Sequence, residues 1–401
     1  MIPRTAGHRA RPAGPGRDVS DDATRWKHLF EEFGGTAYLD CAGQGPFPRD
    51  SAEAARRAVR YKEHPEEFPE ALYGELPARV REAAGRLIGC APGSIAIGTG
   101  ASHGLNLAAR GLPLKEGDEI LLAHGEFPAN VYPWLNLESK GIRVRFVRPE
   151  RGVSVDAAAL VRAIGPQTRL IAISLVSYST GDRIDLQAIG DACRQRGLFL
   201  VVDGAQGIGA VDFRVGDFPI DVLAVSGYKW LLGPYGTGFT YVSPRVIDRI
   251  ATCDVNWLVV KGSSQFNRLN DYRLEFRDGA RRFDVPETAA FIQLSAFATS
   301  LELLNRVRVP TIEAHVRRLL DQLMHDLVRT PLRVVSDTRP ARRSTILALE
   351  AGSLEETNRI FRRLGERGVK VSLRENRIRV APHIYNTPQD IDRLTEAAAT
   401  A

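Results

Sequence analysis

No stretch of these 401 residues is apolar enough for long enough to cross a bilayer. The longest hydrophobic runs are strand-sized, so no transmembrane helix is expected. Cysteine is scarce. Cys41, Cys90, Cys193 and Cys253 lie far apart, with no CxxC pair and no histidine at ligand spacing. Neither a disulfide framework nor a metal site is expected, and a reducing cytoplasm is the default compartment. No internal repeat is present. The net charge of +6 has no broad basic face behind it. Arg4, Arg9, Arg11 and Arg17 against Asp18 put +3 of it into the first twenty residues. The rest of the chain lacks the basic stripe that nucleic acid requires. Residues 1–20 are rich in Arg, Pro and Gly and carry no apolar run. They read as a disordered leader rather than a signal peptide.

What the chain does have is ordinary globular composition, 44% hydrophobic and 25% charged. That leaves room for one large domain and a smaller one. From about residue 75 helix and strand patterns alternate. A helix is expected over 77–88. Apolar strands are expected at 95–99, 119–124, 143–147, 169–175, 198–203, 221–226 and 238–242. Helical patterns lie between several of them, at 102–110, 156–164 and 186–196. Runs of Val, Ile and Leu without polar alternation belong to strands buried on both faces. The fold class is therefore α/β, a mostly parallel seven-stranded sheet covered by helices. Ligands in such sheets bind at the carboxyl ends of strands, where Thr99, Asp203 and Ser226 fall. Residues 254–290 are irregular. A long helical segment follows at 289–305 and 309–328. The tail then reads β-α-β-β-α at 345–349, 354–367, 369–373, 377–381 and 388–397. Ser353 with Glu356 fits a capping box, and Thr387 before Pro388 fits a helix start. The expected organisation is a leader (1–20), a segment packing with the small domain (21–50), a large domain (51–305) and a small α+β C-terminal domain (306–401).

The chemistry gathers around Lys229, in Ser226-Gly227-Tyr228-Lys229-Trp230-Leu231-Leu232-Gly233-Pro234. Upstream, Leu198-Phe199-Leu200-Val201-Val202-Asp203 is a buried strand ending in an acid. A lysine and an aspartate at adjacent strand ends are what pyridoxal 5'-phosphate chemistry needs. The amine forms a Schiff base, and the acid keeps the pyridine nitrogen protonated. Alone, Asp203 reads as a helix cap and Lys229 as a surface lysine. Gln206 changes the odds, since the acid and the amide of Asp-Gly-Ala-Gln can both reach one planar ring. The apolar turn around Lys229 would lower the amine's pKa by desolvation. Gly98-Thr99-Gly100-Ala101-Ser102-His103-Gly104 follows a strand and opens a helix. Alone it is a tight turn as readily as an anion site. Beside Asp203 and Lys229 it reads as a phosphate cup.

With these residues the chain resembles the class V aminotransferase-fold enzymes: cysteine desulfurases, selenocysteine lyases, isopenicillin N epimerase-like proteins and kynureninases. The resemblance runs from Tyr38-Leu39-Asp40 to Arg377-Ile378-Arg379-Val380-Ala381-Pro382-His383-Ile384-Tyr385-Asn386-Thr387. It implies the fold type I architecture of pyridoxal 5'-phosphate transferases. It also implies a homodimer with active sites at the subunit interface, the 254–290 segment reaching the neighbouring site. Lys229 matches the Schiff-base lysine, Asp203 the partner of the pyridine nitrogen and Gln206 a partner of the phenolic oxygen. Gly100, Ala101, Ser102, Ser226 and Tyr228 match the phosphate contacts. In His124-Gly125-Glu126-Phe127-Pro128, Phe127 takes the place of the ring that stacks on the cofactor, a histidine in desulfurases; plain core is its other reading. Tyr178 stands where an asparagine often lies beside the ring. Arg379 matches the clamp on the substrate carboxylate, with Arg374 as its understudy.

The departures bear on the reaction. Desulfurases of this kind carry a nucleophilic cysteine on a C-terminal loop, and this chain has no cysteine after Cys253. The matching stretch is Val369-Lys370-Val371-Ser372-Leu373-Arg374-Glu375-Asn376. Cys41 is the one candidate substitute, and a small buried hydrophobe is its other reading. The resemblance therefore implies an enzyme acting on an α-amino acid, first by β-elimination at a C–S bond. The alternatives are transamination or epimerisation, desulfuration through an atypical thiol such as Cys41, and a binding module without turnover.

Overall fold

A computed structural model describes residues 25–150, 152–288 and 290–399. The expected leader lies outside them. Among the described residues, seven strands form the central sheet in the order Ile95–Gly98, Gly238–Val242, Val222–Ser226, Phe199–Asp203, Thr168–Ser174, Glu119–Ala123 and Arg143–Val147. Gly238–Val242 runs antiparallel to both neighbours, and the others share one direction. Successive residues of a strand point to opposite faces, and each face has its own core. Leu200, Val202, Ile171, Ile173, Leu223 and Val225 enter one core. Phe199, Val201, Leu170, Ala172, Val222 and Ala224 enter the other. That double burial explains why these strands carry no polar alternation. Helices Ala101–Gly111, Ala157–Ala163 and Leu186–Arg196 connect strands across the faces.

Two of the helix starts are fixed locally. Asp156 accepts from the Ala159 N–H (2.7 Å) and Asp185 from the Ala188 N–H (3.0 Å), each satisfying an otherwise orphaned donor. The helix expected over 77–88 begins earlier, as Leu72–Ile88, with Pro77 inside it. Pro77 falls in the second turn, where it removes one intrahelical N–H donor, while Leu76 and Val80 on the same helix are buried.

The C-terminal part is a four-stranded antiparallel sheet in the order Ser372–Arg374, Arg377–Val380, Leu347–Glu350 and Arg333–Val334, packed with helices Leu354–Glu366 and Pro388–Ala399. Ser353 accepts from the Glu356 N–H at 3.1 Å, the serine half of the expected capping box, while the Glu356 carboxylate lies 3.6 Å from Arg359. The single strand expected over 369–373 is two. Val369–Lys370 pairs in parallel with Ala37–Tyr38, while Ser372–Arg374 joins the hairpin with Arg377–Val380. The chain switches partner at Val371, so no one ladder holds the whole stretch.

Candidate active site

The carboxyl ends of five parallel strands, at Gly98, Ala123, Ser174, Asp203 and Ser226, lie along one edge of the sheet. Lys229 follows Ser226 in a turn closed by Gly227 N–H to Thr237 O, Gly233 N–H to Gly227 O (both 2.8 Å) and Leu232 N–H to Lys229 O (3.0 Å). The segment after Ala37–Tyr38 clasps this turn from outside. Gly45 donates to the Tyr228 carbonyl at 2.9 Å, and a Cβ at Gly45 would collide with the Lys229 carbonyl.

Lys229 is 8% exposed. Burial pushes its amine down to about 8; Asp203 opposes the shift, and Arg379 and Arg374 add to it. Asp203 is buried at the end of the next strand, its Oδ1 accepting from the Ala205 N–H at 2.8 Å. Burial raises its carboxyl, against the pull of that N–H and of Lys229. Each group's charge opposes the other's shift, but burial outweighs that attraction in both. Gln206 lies beside them with both ends of its amide engaged. Its oxygen accepts from Trp230 Nε1 (2.8 Å) and its nitrogen donates to the Ala42 carbonyl (3.0 Å).

The glycine-rich turn packs backbone against backbone. Gly100 has φ 151°, in a region glycine alone occupies comfortably, and a Cβ at Gly238 would strike it. Ala101, first residue of its helix, donates its N–H to Ser226 Oγ at 3.1 Å. Ser102 is exposed in the first turn. Tyr228 stacks on Tyr235, ring centres 4.1 Å apart. The Phe127 ring lies 5.4 Å from Lys229 Nζ and meets the Tyr178 ring edge-on at 5.1 Å. Tyr178 donates its hydroxyl to Glu375 Oε1 at 2.9 Å.

Arg379 is 1% exposed on an interior strand of the small sheet. Its Nε donates to Ser372 Oγ (3.1 Å), one terminal nitrogen to the Tyr178 carbonyl (3.0 Å) and the other to Asp40 Oδ1 (3.0 Å). Three of its five N–H groups are engaged, which leaves two for a further acceptor. Arg374 is part-buried on the same hairpin. Cys41 is fully buried behind Lys229, its Sγ donating to the Lys229 carbonyl at 3.8 Å. Burial pushes its thiol far above the usual range.

Two buried groups escaped the sequence reading. Glu126 precedes Phe127 and accepts from the Ser174 N–H (2.9 Å), the Ser174 hydroxyl (2.5 Å) and Asn130 Nδ2 (2.9 Å). Its carboxyl is pushed up to about 7, first by burial and also by Asp203. Nothing in its local sequence distinguishes it from a surface glutamate. His383 is fully buried against Trp230 and Tyr385, neither ring nitrogen having a partner among the described residues, and burial pushes it down to about 3. The Pro-His-Ile-Tyr string that contains it was a signal, but of family rather than of role.

The profile of the family "Aminotransferase class-V" matches residues 74–394. The chain belongs to the class V aminotransferase family. These are pyridoxal phosphate enzymes. Isopenicillin N epimerase of Streptomyces clavuligerus is 29% identical over 374 residues, covering 90% of this chain and 93% of that protein. A probable cysteine desulfurase of Methanothermobacter thermautotrophicus (strain ATCC 29096 / DSM 1053 / JCM 10044 / NBRC 100330 / Delta H) is 27% identical over 380 residues, again 90% of this chain and 93% of that protein. In fold, the chain superposes on the cystine C–S lyase C-DES, solved with its reaction product cysteine persulfide. The TM-score is 0.83 over 92% of this chain and 98% of that one, at 24% identity. The class V residues present here suit the cofactor's chemistry: a desolvated amine, a buried acid one strand away, a helix N-terminus beside Ser226, and an aromatic face toward the amine.

Proposed function

We propose that this class V enzyme eliminates a sulfur substituent from Cβ of an α-amino acid. When bound, pyridoxal phosphate supplies the electron sink for the pair left at Cα. Lys229 Nζ would anchor it and would carry the Cα proton. Asp203 holds the positive end of the sink with its carboxylate, and Gln206, fixed by Trp230 and Ala42, keeps that wall rigid. The Ala101 helix start with Ser226 would hold the phosphate, and Phe127 would supply an aromatic face for the ring. Arg379, steadied by Asp40, turns its two remaining N–H groups to the α-carboxylate, which fixes the Cα–H bond against Lys229. Net, an S-substituted cysteine and water give a thiol, pyruvate and ammonium.

One observation carries the choice of release over sulfur transfer. The hairpin that would bear a nucleophilic thiol closes in two residues, Glu375 and Asn376, without a cysteine. Cys41 is a poor substitute, since the reactive form of a thiol is the thiolate and burial suppresses it here. The test is incubation of holo-protein with S-alkyl-L-cysteines. Pyruvate, ammonia and free thiol in equal amounts are expected, without a protein persulfide. A persulfide on Cys41, with activity lost in Cys41→Ser, would overturn the reading. Borohydride should trap the cofactor on Lys229 and fail to do so in Lys229→Ala. Similarity to isopenicillin N epimerase favours a second reading: Cα loses its configuration and no pyruvate appears.

We also propose a homodimer. Trp257, Phe266, Tyr272 and Leu274 are exposed apolar residues of the irregular segment after the sheet, more than a monomer usually leaves in water there. Sedimentation at micromolar concentration should give twice the chain mass.

A further inference from the structure

The hairpin that lacks a thiol carries an unpaired cation. Its two other arginines have acid partners: Arg377 lies 3.5 Å from Glu350 and Arg379 3.0 Å from Asp40. Among the described residues Arg374 has no carboxylate within ion-pair distance, and one of its terminal nitrogens donates to the adjacent Leu373 carbonyl at 2.7 Å. The neighbouring Glu375 accepts from the Tyr178 hydroxyl and forms no ion pair with Arg374. Arg374 is nonetheless at the site. It is part-buried, and its charge bears on Lys229, Tyr178 and Arg379. Three cations therefore meet at one mouth. Asp203 faces Lys229 and Asp40 holds Arg379, while among the described residues no carboxylate forms an ion pair with Arg374. A guanidinium with spare donors on the rim of a cleft favours a planar anion, which it grips with two parallel hydrogen bonds.

We propose that Arg374 reads a second acidic group on the substrate, so that the enzyme acts on amino acids whose side chain ends in a carboxylate or a similar planar anion. Arg379 takes the α-carboxylate, Lys229 works at Cα, and Arg374 receives the acid beyond the β-substituent. This rests on the amino-acid reading of the site but not on elimination. The register of the hairpin separates the two arginines' tasks. Arg379 lies opposite Ser372 deep in the sheet, while Arg374 lies opposite Arg377 next to the turn. Arg374 is thus the outer of the two.

The test compares isosteres that differ only in the distal charge. Holo-protein is assayed with S-(2-carboxyethyl)-L-cysteine and with S-(2-carbamoylethyl)-L-cysteine, its amide. Wild type should prefer the acid by tenfold or more in kcat/KM, about 1.4 kcal/mol or above. In Arg374→Gln the ratio should fall to within about twofold, and in Arg374→Lys it should lie between. Equal kcat/KM for acid and amide in wild type would overturn the proposal. So would Arg374→Gln depressing both substrates by one factor, which would make Arg374 a support of the hairpin or a second grip on the α-carboxylate. A calorimetric titration with L-glutamate and L-glutamine separates this idea from the elimination reading. If neither cysteine derivative is cleaved but glutamate binds tenfold tighter than glutamine, and Arg374→Gln removes that margin, Arg374 keeps its role and elimination fails. Equal binding of the two sinks the proposal whatever the chemistry.

Discussion

At the scale of single residues, burial does opposite things to a base and an acid. It pushes Lys229 down to about 8 and Asp203 up, because each loses solvation of its charged form. Asp203→Asn keeps the shape and removes the charge. Turnover is expected to fall on the order of hundredfold or more, the size typical of a lost electrostatic support, with circular dichroism unchanged. An unaltered rate would reduce Asp203 to a turn residue bonded to Ala205. Glu126 makes a different prediction. Its carboxyl sits at about 7 in the folded protein, against a usual 4.5. A carboxyl that binds its proton more tightly when folded withdraws stability as pH rises between those two values, and no more above them. Glu126→Gln cannot ionise. Its urea midpoint, relative to wild type, should therefore climb between pH 5 and pH 8. A flat difference would place the Glu126 carboxyl in the ordinary range. Lys229 and Asp203 were legible because strand pattern and motif coincide on them. Glu126 was not, since only the sheet brings Ser174 to it from 48 residues away.

At the scale of elements, the hairpin from Ser372 to Val380 shows what local sequence decides. Glu375 (φ 46°) and Asn376 (φ 64°) both occupy the left-handed region, the signature of a two-residue turn whose twist matches its strands. Asparagine tolerates that region and β-branched residues do not. Asn376→Val should cost about 1–2 kcal/mol, read as a lower urea midpoint at constant slope. Asn376→Gly should be neutral or better. A valine variant as stable as wild type would mean the turn relaxes to another type. The sequence marked this stretch as thiol-free. It did not reveal the change of partner at Val371, because both halves have the same apolar character and only the arrival of Ala37–Tyr38 separates them.

At the scale of the whole molecule, one buried ion pair ties three distant parts together. Arg81, from helix Leu72–Ile88, pairs with Asp284, which also accepts from the Ile97 N–H at 2.8 Å, while Val285 donates to the Ile97 carbonyl at 3.1 Å. The irregular segment is thus fastened to the strand that leads into the Gly100 turn. Burial already pushes the Asp284 carboxyl up to about 6, with Arg81 opposing it. Arg81→Ala leaves that acid buried with only the Ile97 N–H and the charge of Arg281 to support it, and should cost about 3–5 kcal/mol near neutral pH. The loss should shrink at pH 5, where Asp284 is protonated. Thermal melts at both pH values check the sign, and an equal loss at each would mean the arginine acts by packing alone.

The sequence by itself determined the layered α/β sheet, because strands buried on both faces must be apolar throughout. It also determined the lysine and acid at adjacent strand ends, because a specific motif surrounds each. Tertiary structure alone decided the rest. It buried Cys41 behind Lys229 where its thiol is suppressed, engaged both ends of Gln206, gave Arg379 a carboxylate partner and left Arg374 without one among the described residues. Each of those outcomes depends on which distant atoms share a dry volume. Burial and partnership are properties of the packed chain, and no local pattern encodes them.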